Sequence, residues 1–279
     1  MPVGPAVEPS AGGIAVRWGV VSYVGLLVAV PLAALLASGL GEGVTALWQA
    51  VTSPVAADAL ARTLWTAGVM ALVNAVMGTA TAWVLVRYEF PGRGLLSGLV
   101  DLPFAIPTLV TGVMLVLLFG PQSALGGWLH AQGLPVAFAT PSIVLALLFI
   151  TVPFVVRAVE PVLLEQDPAE EEAARTLGAG TFTVFRRVLL PPLLPAILSG
   201  TIRSYARALG EFGSIVVVSG NIPYQTLTAP IYVFGEIESG RPQVAPPPSP
   251  PVIGALLAVA LALTFAAHAI ERLTGVRRG

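Results

Sequence analysis

Long apolar runs separated by short polar stretches dominate this chain. Runs able to cross about 30 Å of hydrocarbon fall at roughly 18–40, 62–86, 97–119, 141–163, 193–219 and 252–270. The pattern predicts an all-α integral membrane protein of six transmembrane helices. The first run ends near Ala37-Ser38-Gly39, which resembles a signal-peptide cleavage site. It is longer than an h-region and reads as a retained helix. Two interruptions stand out. Asp101-Leu102-Pro103-Phe104-Ala105-Ile106-Pro107-Thr108 places two prolines in the third span, which break or kink it. Residues 241–251 hold six prolines and read as an extended connector outside the membrane.

Composition agrees with lipid as the main solvent. Only 10% of residues are charged and mean hydropathy is +0.85, whereas a soluble domain carries about 25% charged residues. A net charge of -1 argues against a nucleic-acid partner. Without cysteine there is no disulfide framework and no thiolate metal site or nucleophile. All 14 basic residues are arginine. A standard phosphate loop needs its lysine, so no cofactor is expected on this chain, and ATP with its Mg would sit on a partner subunit. With the N-terminus in the cytosol, Arg17, Arg87, Arg93, Arg157, Arg175, Arg186, Arg187, Arg272, Arg277 and Arg278 fall inside, and only Arg62 and Arg241 outside. The positive-inside rule therefore predicts cytosolic termini and an N-terminal segment 1–17, a first span with its outer loop 18–61, a core 62–270 and a tail 271–279.

The cytosolic loop 165–192 has its own signals. Asp167 suits an N-cap, Pro168 the first helical position, Glu170 a capping box and Gly178 a left-handed stop. Thr181 can cap a second helix that Pro191-Pro192 would end, with Phe182, Phe185 and Leu189 on one face. The result is a helix–turn–helix that either packs on its own spans or docks a soluble partner.

Glu172-Ala173-Ala174, then Gly178 after three residues, then Val188-Leu189-Leu190-Pro191 after nine more resembles the loop signature of binding-protein-dependent ABC permeases, with valine for isoleucine. Ala82-Trp83-Val84-Leu85-Val86-Arg87-Tyr88, Pro153-Phe154-Val155-Val156-Arg157, Ala206-Arg207-Ala208-Leu209-Gly210-Glu211-Phe212-Gly213-Ser214 and Ser219-Gly220-Asn221-Ile222-Pro223 resemble the sulfate/thiosulfate branch, T-type subunit. Molybdate permeases share the Gly-Glu-Phe-Gly stretch. The resemblance ends after Glu238. It implies an inner-membrane permease that is not itself an enzyme and works by alternating access. It also implies that Glu172, Ala173, Ala174, Gly178, Val188, Leu190 and Pro191 engage an ATP-binding cassette subunit, present in two copies. A second, different permease subunit and a periplasmic or lipid-anchored oxyanion-binding protein complete the implied assembly.

Arg203, Arg207 and Glu211 lie at i, i+4 and i+8 in the fifth span. Such charges are too costly to face lipid. Arg207 and Glu211 can pair, leaving Arg203 as an unpaired cation on an anion route, or all three can be tied to Asp101 or Glu160. Arg157 and Glu160 read as anchors that snorkel to water. His130 and His268 have no partners nearby in sequence. Residues 226–237 read as an interfacial helix kinked by Pro230. A proton-coupled secondary transporter, with Glu211 carrying the proton and Arg203 the anion, or a channel, would account for the fifth span without the loop. A tungstate or molybdate cargo also stays open.

Overall fold

The computed structural model describes residues 11–40 and 52–238, with isolated positions 45, 48, 49 and 269. The expected connector at 241–251, the sixth span at 252–270 and the tail at 271–279 lie outside the described residues, as do His268, Arg241, Arg272, Arg277 and Arg278. No strand occurs among the described residues.

The helices are α1 (Ala11–Leu40), α2 (Pro54–Arg87), α3 (Arg93–Ala105), α4 (Thr108–Phe119), α5 (Ala124–Ala131), α6 (Thr140–Glu165) and α7 (Pro168–Thr176). They are followed by α8 (Thr181–Val184), a π-helical turn (Phe185–Leu189), α9 (Leu190–Leu209), α10 (Gly213–Val218) and α11 (Ala229–Glu238). Among the described residues three helices are long and apolar enough to cross a membrane: Pro54–Arg87, Thr140–Glu165 and Thr181–Leu209, the last formed by α8, the π turn and α9. The pair α3 and α4 makes a fourth if it is counted as one broken span. On α1 a shorter apolar stretch, Ala15–Pro31, is present, and none of its described side chains is buried.

The core is α2, α6 and α9 packed side by side. Toward one end, Met70, Ala71, Ile143, Leu147, Ala208 and Leu209 pack together. Toward the other, Ala82, Leu85, Val155, Val159, Leu163 and Leu193 do so. Between them Val155 of α6 is wedged against two glycines. A Cβ on Gly78 would lie 2.8 Å from Val155 Cβ, and one on Gly200 would lie 2.9 Å from both the Phe154 carbonyl oxygen and Val155 Cα. Small residues let helix backbones approach this closely where lipid supplies no hydrophobic drive. A polar knot adds to the join: Asn74 Nδ2 donates to Thr151 Oγ1 at 2.8 Å, and Met70 Sδ accepts from Thr151 at 2.9 Å and Ser204 at 3.4 Å.

The third span is broken, as its two prolines predict: it is two helices bent by 114°. Pro103 is accommodated inside α3, and the break falls at Ile106 and Pro107, both extended. The fifth was expected at 193–219 but stops at Leu209. In the other direction it runs through Pro191-Pro192 into the loop. The π turn absorbs the prolines: the Leu190 N–H reaches back to Phe185 O, and Pro191 and Pro192 then occupy the first positions of α9, where no N–H is needed. Pro230 likewise starts α11 rather than kinking it.

At the end of the core where α2 begins, Arg62 Nη2 donates to Tyr224 O at 2.8 Å and Phe138 N–H to Val218 O at 2.9 Å. These bonds hold the loop leading into α11 against α2 and α6.

Gly200→Ala is expected to destabilise the protein by about 1–3 kcal/mol through overpacking, seen as a lower melting temperature in detergent. Gly98→Ala, in a helix interior with open space around the new methyl, should leave stability unchanged or raise it by up to about 1 kcal/mol.

Candidate functional site

The loop between α6 and α9 is a helical hairpin with a fixed base and a free tip. Asp167 caps α7 by accepting the Ala169 N–H at 2.9 Å. At its other end Gly178 takes φ +85°. The Gly178 N–H donates to Arg175 O at 2.9 Å and the Ala179 N–H to Ala174 O at 3.0 Å, a Schellman motif. The chain re-enters helix with Gly180, not Thr181, as the cap residue.

The base is tied to α2. Arg87 Nη2 meets Glu171 Oε1 at 3.0 Å, both side chains more than four-fifths buried. The Phe185 ring packs on Trp83 at 5.5 Å between centroids. Val184 and Leu189 are buried, and Gln166 Nε2 donates to Leu189 O at 3.4 Å. The tip is bare: beyond Glu171 most of α7 is exposed, and Leu177 is 89% exposed and Phe182 73%. Of the sequence-marked residues, Glu172, Ala173, Gly178 and Pro191 are exposed, while Ala174, Val188 and Leu190 are half-buried. The first half of the motif therefore makes the tip and the second half the joint to α9.

The charged stripe is organised differently from the sequence expectation. Arg203 and Arg207 are half-buried on α9, but Glu211 lies just past its end, carried on a single further turn (Glu211 N–H to Ala208 O, 3.1 Å). Its carboxylate is 2% exposed and fully engaged. Oε2 meets Arg207 Nη1 at 3.0 Å, and Oε1 accepts the Ser214 N–H at 3.0 Å and its hydroxyl at 3.1 Å. Glu211 thus caps the start of α10 while neutralising Arg207. Arg203 is not the unpaired cation expected, since it too has an interaction partner.

Asp101 and Glu160 are not available to this stripe. Arg157 holds both. Its Nε donates to Asp101 Oδ1 at 2.8 Å, its Nη2 to Ser97 O at 3.0 Å and Ser97 Oγ at 2.9 Å, and its Nη1 to Glu160. Arg157 is therefore a clamp between α3 and α6, not a snorkelling anchor. Sequence reasoning missed this role. The available signal was an arginine, an aspartate and a glutamate in neighbouring apolar runs, three charges that lipid would penalise if left apart. Among the described residues no group of three His, Asp or Glu is placed to hold a metal ion.

A family model described as the inner membrane component of binding-protein-dependent transport systems matches residues 74–274. The chain belongs to this permease family. It is 47% identical over 216 residues to the probable sulfate transport system permease protein cysT of Nephroselmis olivacea, covering 77% of this chain and 76% of that protein. It is 41% identical over 261 residues to the CysT protein of Synechocystis sp. (93% and 90% covered) and 37% over 255 to that of Escherichia coli (91% of each). Among solved structures, the permease resembles one from a bacterial alginate ABC transporter in complex with an alginate pentasaccharide-bound periplasmic protein (TM-score 0.72, 18% identity, 94% of each chain). The MetNI methionine ABC transporter follows at 0.51 and 20%, over 77% of this chain and 96% of that one. At these identities the likeness concerns the fold.

Removing one member of the Arg207–Glu211 pair strands the other. Arg207→Ala should lower stability by about 2–4 kcal/mol. The double change Arg207→Ala/Glu211→Gln should recover at least about 1 kcal/mol of that loss. Thermal unfolding of the purified permease tests both. A double variant no better than the singles would show that the pair contributes no coupling.

Proposed function

We propose that this permease is one of two subunits enclosing the pathway of an ATP-driven importer for sulfate or a closely related oxyanion. The observation that carries the proposal is the hairpin: a rigid base bound to α2 by Arg87–Glu171 and Trp83–Phe185, and an apolar tip at Leu177 and Phe182 left exposed among the described residues. Large exposed apolar side chains on a short polar helix are what a protein partner would bury. The partner is an ATP-binding subunit, in two copies, each meeting one permease hairpin. The absence of lysine from this chain favours ATP and Mg on that subunit. Since the hairpin's second helix runs unbroken into α9, a movement imposed at the tip would be carried to the charged stripe.

The sulfate reading draws on the relatives' names, and molybdate or tungstate is the nearest alternative cargo. Six helices with both termini in the cytosol and a second, non-identical permease complete the reading. A binding protein delivers the anion from the opposite side, in keeping with the periplasmic protein named for the alginate transporter structure. The stripe of Arg203, Arg207 and Glu211, which keeps one net positive charge after Arg207 pairs with Glu211, is proposed to bias the pathway toward anions. A secondary transporter with Glu211 as proton carrier gains no support, because both oxygens of that carboxylate already serve Arg207 and Ser214.

The test uses Gly178. No atom obstructs a side chain there, so a substitution acts through the left-handed backbone alone. Gly178→Val should cost about 1–2 kcal/mol at the turn and collapse sulfate uptake and ATPase co-purification, while membrane expression stays normal. Gly178→Asn, which tolerates this conformation, should retain most of both. Full uptake and ATPase retention with Gly178→Val would remove the hairpin from the coupling path. Uptake that persists without ATP, driven by a proton gradient, would exclude the ABC mechanism altogether.

A further inference from the structure

Two aromatic residues hold a backbone conformation that their side chains disfavour. Phe138 has φ +60° and Tyr224 φ +62°. Gly220, at φ +77°, and Asn221, at φ +57°, belong to the same loop as Tyr224. A left-handed backbone is ordinary for glycine and asparagine, but for a bulky aromatic residue it is an outlier. Such outliers persist only where the surroundings over-determine them, and they cluster at functional sites.

The surroundings over-determine both residues here. The Phe138 N–H donates to Val218 O at 2.9 Å, and Phe138 Cβ lies 3.3 Å from where a Cβ on Gly220 would be. Tyr224 O accepts from Arg62 Nη2 at 2.8 Å, and Asp58 holds that guanidinium in turn at 3.2 Å. Asn221 Nδ2 donates to Val216 O at 3.0 Å, the Ile222 N–H to Thr226 Oγ1 at 3.0 Å, and Thr140 Oγ1 to Gln225 O at 3.3 Å. The loop 219–228 is therefore bonded to itself, to α2 and to the start of α6. What it presents is nevertheless bare: Phe138, Ile222 and Tyr224 are exposed large apolar side chains.

We infer that this loop surface, with Phe138 and Tyr224 as anchors and Ile222 beside them, is where the permease receives its binding protein. The inference rests on the reading above that a binding protein delivers the anion on the side opposite the hairpin, and the family is described as binding-protein-dependent. The surface lies at the end of the core where α2 begins, away from the hairpin at the other end of that helix. Hydrocarbon is excluded as its cover, because irregular backbone such as 219–228 does not face lipid within the bilayer. A strained backbone that holds aromatic side chains out in water gains nothing for the fold. For a protein partner it is useful, because anchors already fixed in place lose little freedom on binding. Arg62 and Asp58, the ion pair bonded to this loop, neutralise each other. The fitting partner face therefore offers apolar pockets for two rings rather than a complementary charge.

The assembled transporter, reconstituted in bilayers and mixed with the sulfate-loaded binding protein of its own system, tests this. A photoreactive benzophenone amino acid is placed at position 224 and, as control, at position 72, which is exposed in the middle of α2. Position 224 should cross-link to the binding protein and position 72 should not. A cross-link from 224 to lipid would overturn the surface by placing the loop in the bilayer. One to this chain or to the second permease would overturn it by showing that the transporter covers the loop itself. Phe138→Gly and Tyr224→Gly each remove a ring and relieve the left-handed backbone, so neither should lower the melting temperature. Each should weaken binding-protein affinity about thirtyfold, the loss of one interface anchor. Tyr224→Phe keeps the ring and should stay within about threefold of the unaltered protein. Glycine variants that bind as tightly as the unaltered protein would overturn the anchors. Where a glycine variant melts lower, the cross-link at 224 decides alone. Sulfate uptake that needs no binding protein would instead bring down the importer reading, and this surface with it.

Discussion

Close approach of three helix backbones around Val155 is the constraint on which the rest of this permease depends. In lipid, apolar side chains gain nothing by leaving the solvent, so association must come from packing and from polar groups that cannot be left unpaired. Gly78 and Gly200 bring α2 and α9 into close contact with Val155. That approach in turn brings Asn74, Thr151 and Met70 within bonding distance. A side chain at either glycine would separate the helices, and the polar knot would open with them.

From that centre the two functional features extend in opposite directions. Toward the hairpin, α2 presents Trp83 and Arg87 to Phe185 and Glu171, so the hairpin base is an extension of the three-helix packing. Toward the other end, α9 delivers Arg207 to Glu211, and Glu211 starts α10, which lies against α4 so closely that a Cβ on Gly213 would strike Thr108 Oγ1 at 2.2 Å. The clamp of Arg157 on Asp101 and Ser97 fixes α3 to α6 on the flank. Arg87, Arg157 and Glu211 are thus each spent on joining two elements, in keeping with the cost of leaving a charge in hydrocarbon.

Much of the local structure was legible from single residues. Asp167, Pro168 and Gly178 act on backbone groups within a few positions of themselves, and the cap and the Schellman turn formed where their chemistry placed them. Long-range features were less legible. Pro191 and Pro192 are helix breakers by local rule, but burial of Leu189 and Leu193 on either side holds the chain helical and shifts the strain into a π turn. Arg157 and Glu160, four positions or fewer apart, looked like a pair bound for water. Their third partner, Asp101, is 56 residues away, and no spacing rule could supply it.

The order of amino acids by itself determined that lipid is the solvent, that the chain is helical, where the hairpin turns, and which family signature it carries. Those follow from composition and from interactions reaching no further than one helical turn. Only the tertiary structure decided which charges neutralise which, that the third span bends by 114°, and that α8 and α9 form one continuous helix. It also decided that Arg203 is engaged rather than free. The physical reason is that a buried charge or a strained turn is tolerated only if a partner from a distant segment meets it, and helix packing alone selects that partner.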